Sequence, residues 1–268
     1  MTPETNKKKP LVRFLSFIGD SVLSFVTYVG GIALLVYQIL KAIIKERFPW
    51  KDTLVQFEVI GVKSTSLTNL IAIFTGMVLA LQFIVALSRF GLQLYAGNMI
   101  GIALCRELVP VLTALMIAAR VGSGITAELA SMSVTEQVMA IEAMGCNPIQ
   151  KLVLPRVIAC LFCVPLLSVL ADVVGILGGL VITMLETGVG AYFYYDQTVQ
   201  SLKLSDFVSG TTKTIFFGLF IGLIATYEGL NSQGGTEGVG RSTTTSVVYA
   251  SICIFISDFI LTKVFLLF

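Results

Sequence analysis

Long apolar runs, nearly free of charge and separated by short polar segments, set the pattern of this chain. Residues 66–87 contain no charge at all. Residues 99–119 are interrupted only by the adjacent pair Arg106-Glu107. Residues 152–185 hold Pro155 and Arg156 near their start, then Pro165 and one acid, Asp172. Residues 214–230 end near Glu228, and residues 246–268 carry Asp258 and Lys263. A hydrocarbon core is crossed by about 20 apolar residues in a helix. A backbone in lipid must satisfy its own hydrogen bonds. The pattern therefore predicts an all-α integral membrane protein with five transmembrane helices over those ranges.

Residues 11–44 read differently. Ser16, Asp20, Ser24, Thr27, Gly31, Gln38, Lys41 and Lys45 recur at helical spacing. Both flanks are basic, with Lys7, Lys8, Lys9 and Arg13 before and Lys45, Arg47, Lys51 and Lys63 after. A crossing helix would send one of these clusters over the membrane, against the positive-inside bias. The expectation is an amphipathic helix, or a pair of them, lying in the interface. Trp50 then sits at headgroup level. Residues 1–63 thus read as a cytoplasmic tail with an interfacial helix, and residues 64–268 as a five-span domain.

Composition supports this and removes alternatives. The chain of 268 residues is 56% hydrophobic and 13% charged, about half the charge of a soluble domain. That excludes a water-soluble enzyme and a disordered chain. A net charge of +2 gives no reason to expect nucleic acid as a partner. Histidine is absent, which takes away the commonest metal ligand and the usual general base. No metal site and no catalytic residue is expected. Of the five cysteines, Cys160 and Cys163 have redox-motif spacing, but their apolar setting gives nothing to lower a thiol pKa. They read as small buried hydrophobes. The apolar stretch after the Lys-rich start is too long for a signal-peptide core, so no removable signal is expected. Nine of the 18 basic residues lie no later than Lys63, which puts the N-terminus in the cytoplasm. Residues 120–151 and 231–245 are then inside, and residues 88–98 and 186–210 outside.

Small residues four apart let membrane helices approach closely. Gly97 and Gly101, Gly175 and Gly179, and Gly218 and Gly222 have that spacing. Whether their neighbours belong to this chain or to a second copy stays open. Between the second and third spans, Ser133 and Glu136 match a capping box, and Gly145 with Pro148 supplies a stop. Val134, Val138, Ile141 and Met144 form an apolar face, with Glu136 and Glu142 elsewhere. Such a helix over 133–145 is too short to cross. It either inserts into a groove on another protein or rests on the membrane surface or its own bundle.

At this point the sequence becomes recognisable. Residues 106–123, from Arg106-Glu107 to Gly122-Ser123, are followed by Ala127-Glu-Leu-Ala130, Glu136-Gln137, Ala140-Ile-Glu-Ala-Met-Gly145 and Pro148. Together with Glu237-Gly-Val-Gly-Arg-Ser-Thr-Thr244, they closely resemble the MlaE (YrbE) family of permeases in ABC-type lipid transporters. The resemblance runs from about residue 11 to the end. It implies a homodimer of five-span subunits, each preceded by an interfacial helix, in the inner membrane of a two-membraned bacterium. It implies cytoplasmic ATPase subunits that carry ATP and Mg, so that this chain binds no cofactor of its own. It implies a periplasmic MCE-domain partner and a glycerophospholipid cargo moved between inner and outer membranes. Ser133, Glu136, Val138, Ile141, Glu142, Met144 and Gly145 then correspond to the coupling helix. The resemblance also implies that Arg106 and Glu107 lie near the lipid headgroup.

The remaining motifs weigh against other classes. Residues 235–242 approach a phosphate-binding loop, but Arg241 stands where Lys is needed and an apolar span precedes it. A glycine turn with Ser242 or Thr243 capping the last span is the better reading, so energy must come from a partner. A charge within a span faces a cavity or a partner charge. Arg106 and Glu107 are read as cavity-facing, the alternative being pairing within the bundle. Arg120 and Glu128 are read mainly as structural, the alternative being contact with the ATPase, Asp258 as an internal tether and Lys263 as a snorkelling anchor. Met77 and Leu81 suit an acyl-chain wall. A stand-alone ion-driven transporter is the alternative function. It would need acidic sites at mid-membrane, for which only Asp172 and Asp258 are available.

Overall fold

A computed structural model describes residues 10–45 and 48–267. The basic residues Lys7, Lys8, Lys9 and Arg47 lie outside the described residues, as do the side chains of Arg13 and Ser16. Among the described residues there are eight helices and no strand: α1 (Pro10–Lys45), α2 (Trp50–Ser88), α3 (Gln93–Val134), α4 (Gln137–Ala143), α5 (Ile149–Thr187), α6 (Ala191–Ser201), α7 (Leu204–Leu230) and α8 (Gly235–Leu267). This is the all-α membrane architecture that the apolar runs predict. Six of the helices are long and apolar enough to cross a membrane: the stretch Val22–Lys45 of α1, and α2, α3, α5, α7 and α8. The helices run well past the apolar stretches. α7 begins ten residues before residue 214 and α8 eleven before residue 246.

α3, α5 and α7 form the centre, and α1, α2 and α8 keep most of their surface exposed. α2 lies along α5, α5 along α7, and α8 packs on α7 and the second half of α3. Small residues decide this arrangement. From residue 60 onward the buried positions of α2 are Ile60, Ser64, Thr68, Ala72, Gly76, Ala80 and Ile84, one every fourth residue. A Cβ placed on Gly76 would lie 1.9 Å from the Gly175 carbonyl oxygen of α5, so only hydrogen fits there. The foreseen glycine pairs all find their neighbours within the chain. Gly175 and Gly179 face α2 and α6, Gly218 and Gly222 face α5, and Gly97 and Gly101 face Tyr194 and Thr198 of α6.

α1 sets Leu35 and Ile39 against the start of α5 and against α7, and Ala42 is buried as well. Tyr28 stacks edge-on to Tyr227 and Tyr249, at centroid distances of 5.2 and 5.0 Å. Asp20, Ser24, Thr27, Gln38, Lys41 and Lys45 are exposed. Gly31, assigned to the polar stripe from its spacing, instead faces the bundle: a Cβ there would lie 2.2 Å from the Tyr227 hydroxyl.

Two local expectations need correction. Ser133 and Glu136 do not form a capping box. α3 stays helical to Val134, so Ser133 lies in its last turn and donates to the Leu230 carbonyl of α7 at 3.0 Å. Glu136 turns the chain at φ 61°, and α4 is only seven residues long. Its end is as foreseen. Gly145, at φ 79°, donates to Glu142 O while Cys146 donates to Ile141 O, a Schellman closure. Likewise, Ser242 and Thr243 do not cap the last helix. Gly234 and Gly235, with φ of 95° and 69°, make the turn, and the helix starts there. Thr243 and Thr244 donate back to Gly240 O within it.

Candidate functional site: a charged cluster in the bundle and the α4 turn

Arg106 and Glu107 sit in a widened π turn of α3, Leu104–Leu108, just before Pro110. Proline has no N–H, so the Arg106 carbonyl lacks its ordinary helical donor from residue 110. The Lys213 ammonium of α7 donates to it at 3.2 Å. The same ammonium donates to Glu107 Oε2 at 2.8 Å and to Thr262 Oγ1 of α8 at 2.7 Å. It lies 3.1 Å from Asp258 Oδ1, an ion pair without hydrogen-bond alignment. Lys213 is only 1% exposed. A buried ammonium is tolerated when it is paired and its three N–H bonds are used. Here it ties α3, α7 and α8 together.

The adjacent pair therefore divides. Glu107 is committed to Lys213. Arg106 faces Asp206, near the start of α7, at 3.7 Å, and its side chain is 28% exposed. That separation is too long for a hydrogen bond, so the guanidinium keeps donors free. Asp258 is an internal tether, but to Lys213, while Lys263 is exposed. Met77 and Leu81 lie on α2, the one half-buried and the other exposed, and neither belongs to this ionic cluster. Asp172 is buried in α5 beside the Cys105 thiol, and its Oδ1 has no partner. Cys105, Cys160 and Cys163 are free and buried.

Lys213 is the residue that sequence reasoning missed. Starting the fourth span at residue 214 left it just outside the span, in neither the loop over 186–210 nor the helix. The signal available was a lone lysine one position before an unbroken apolar run.

A second group of predicted residues gathers at the other end of α3. Val138 and Ile141 of α4 pack against the core formed by α3, α5, α7 and α8. Met144 departs from that face because α4 ends at Ala143, and it is 72% exposed. Glu136 and Glu142 are exposed beside it. Arg120 donates to the Lys63 carbonyl and, at 2.8 Å, to Ser64 Oγ, joining α3 to α2. Glu128 pairs with Arg156 of α5 at 2.8 Å. Residues 235–242, which resemble a phosphate loop in sequence, are helical from Gly235 onward.

A family model described as Permease MlaE matches residues 53–264. A "Probable ABC transporter permease protein" of Rickettsia typhi is 37% identical over 94% of this chain and 98% of its own. The "Intermembrane phospholipid transport system permease protein MlaE" of Haemophilus influenzae is 34% identical over 95% of this chain and 98% of its own. A probable ABC transporter permease of Synechocystis is 38% identical, over 84% and 85%. With its bundle of long apolar helices, the chain is a multi-pass membrane protein and an ABC transporter permease, a class that works with a separate ATPase, and it belongs to the MlaE permease family.

Proposed function

We propose that this chain is the permease subunit of a phospholipid transporter in the inner membrane of a two-membraned bacterium, with its N-terminus in the cytoplasm. Two copies enclose the lipid path. ATP and Mg are held by the cytoplasmic ATPase partner, and an MCE-domain protein receives or delivers lipid on the periplasmic side. The chain itself carries no cofactor and catalyses no reaction.

The observation that carries this reading is the Arg106 guanidinium, 28% exposed within a membrane-length helix and only loosely paired. A phosphodiester can take two of its N–H groups side by side. Charges placed within a span commonly mark a substrate path. Glu107 acts on this site indirectly, by fixing the π turn to Lys213. Met77 and Leu81 supply apolar wall for acyl chains. The name of the Haemophilus relative agrees with such a cargo.

The α4 turn is the coupling element. Glu136, Glu142 and Met144 face outward to the ATPase, while Val138 and Ile141 hold the helix to the bundle. Ser133 passes movement to the end of α7, and Gly145 closes the helix. Two measurements test the reading. Glu142→Lys with Met144→Asp is expected to lower copurification of the ATPase without changing thermal stability. Arg106→Ala is expected to lower the phospholipid that copurifies with the permease, and wild-type lipid occupancy would sink the headgroup role.

A further inference from the structure

Between α2 and α3, at the end of the bundle nearest α4, a crevice of about 250 Å³ is lined by Gln56, Val59, Lys63, Arg120, Ile125 and Glu128 among others. Its walls are mostly apolar and its charges are two cations and one acid. The acid is already used: Glu128 Oε1 lies 2.8 Å from Nη2 of Arg156, which is 4% exposed. Arg120 is fixed in place by its bonds to the Lys63 carbonyl and Ser64 Oγ. The Lys63 ammonium is exposed and makes no hydrogen bond or ion pair among the described residues. Two positive charges therefore face this crevice without a balancing acid, one on a rigid fork and one on a free arm.

Depth selects the ligand. The uncharged run of α2 begins immediately after Lys63 and that of α3 ends at residue 119. Lys63 and Arg120 thus stand where hydrocarbon gives way to headgroups. They are also distinct from the Arg106 site, because fourteen residues of α3 separate Arg106 from Arg120, about 21 Å along the axis at ~1.5 Å per residue. Basic pockets between membrane helices on the cytoplasmic side suit anionic headgroups, and apolar walls strengthen the attraction of cation to phosphate.

We propose that this crevice binds the phosphate of an anionic phospholipid in the cytoplasmic leaflet, held between Lys63 and Arg120. The choice of leaflet rests on the orientation proposed above, whereas the binding does not. A soluble phosphate ester offers the same chemistry, so the test separates the two sources.

The full chain, carrying Arg106→Ala to silence the other site, is titrated with phosphatidylglycerol in detergent and read by native mass spectrometry. Lys63→Gln removes the free cation but keeps the backbone carbonyl that Arg120 uses. It is expected to weaken phosphatidylglycerol binding about five-fold. Lys63→Arg should restore it, and Lys263→Gln, at the opposite end of the bundle, should leave it unchanged. A Lys63→Gln loss no greater than that of Lys263→Gln, or no rescue by arginine, would overturn the site. Displacement by glycerol 3-phosphate as effective as by phosphatidylglycerol would overturn the lipid assignment. Labelling of the exposed Cys146 with a membrane-impermeant maleimide reads the orientation independently.

Discussion

Replacing Lys213 by methionine is the sharpest perturbation of this bundle. Methionine matches the lysine stem in size, so packing changes little, but the ammonium and all its bonds are lost. Glu107 and Asp258 then face each other without a cation, and Thr262 and the Arg106 carbonyl lose their donor. Removing one partner of a buried ion pair costs about 3–5 kcal/mol. The two acids here are 37% and 20% exposed, and solvent screening of such groups favours the lower end, about 3 kcal/mol. Glu107→Gln is milder. The ammonium keeps Asp258, Thr262 and the Arg106 carbonyl, and an amide oxygen replaces the carboxylate, so about 1 kcal/mol is expected. For a chain of this size each kcal/mol moves the melting temperature by about 2–4 °C. Lys213→Met should therefore melt about 6–12 °C below wild type, and Glu107→Gln about 2–4 °C below. The buried thiols of Cys105, Cys160 and Cys163 provide the assay, since a thiol-reactive fluorogenic dye reaches them only on unfolding. Adding Asp258→Asn to Lys213→Met should recover part of the loss. A Lys213→Met protein that melts within a degree of wild type, or no lower than Glu107→Gln, would refute the view that this lysine ties three helices together.

Other outcomes follow from the packing. Gly76→Ala puts a methyl 1.9 Å from the Gly175 carbonyl oxygen and should cost about 1–3 kcal/mol by the same melting assay. Gly30→Ala, with nothing within 4 Å, should be neutral or gain up to about 1 kcal/mol from helix propensity. Ile141→Asp should lower the melting temperature, because that side chain packs on the core, so loss of the ATPase from this variant would not by itself locate the docking face. In the intact protein a maleimide should react quickly at Cys146 and slowly at Cys105, Cys160 and Cys163. Cys146→Ser should remove the fast phase seen by mass spectrometry.

The sequence makes the helical class legible because long uncharged runs have no other stable form in lipid. The glycine pairs were legible for the same kind of reason, since close approach needs small residues at fixed spacing. The four-residue stripe along α2 was not, because a scan for apolar runs gives Ala72 or Gly76 little weight although they mark the contact face. Ser133 and Glu136 misled because a Ser-x-x-Glu pattern looks the same at a helix start and at a helix end. The hydroxyl goes to Leu230 O, almost a hundred residues away, and local pattern carries no trace of that partner. Within the charged cluster, Arg106 and Glu107 stood out because they interrupt a span. Their division between solvent and Lys213 depends on which groups α7 and α8 bring to the π turn, which is a property of the packing.

The most direct test of the account is lipid movement by the reconstituted permease and its ATPase in vesicles. Transfer of a fluorescent phospholipid to an acceptor should require ATP hydrolysis and fall sharply in Arg106→Ala, while the variant still binds the ATPase. Transfer by the permease alone, driven by an ion gradient and unaffected by Arg106→Ala, would contradict it.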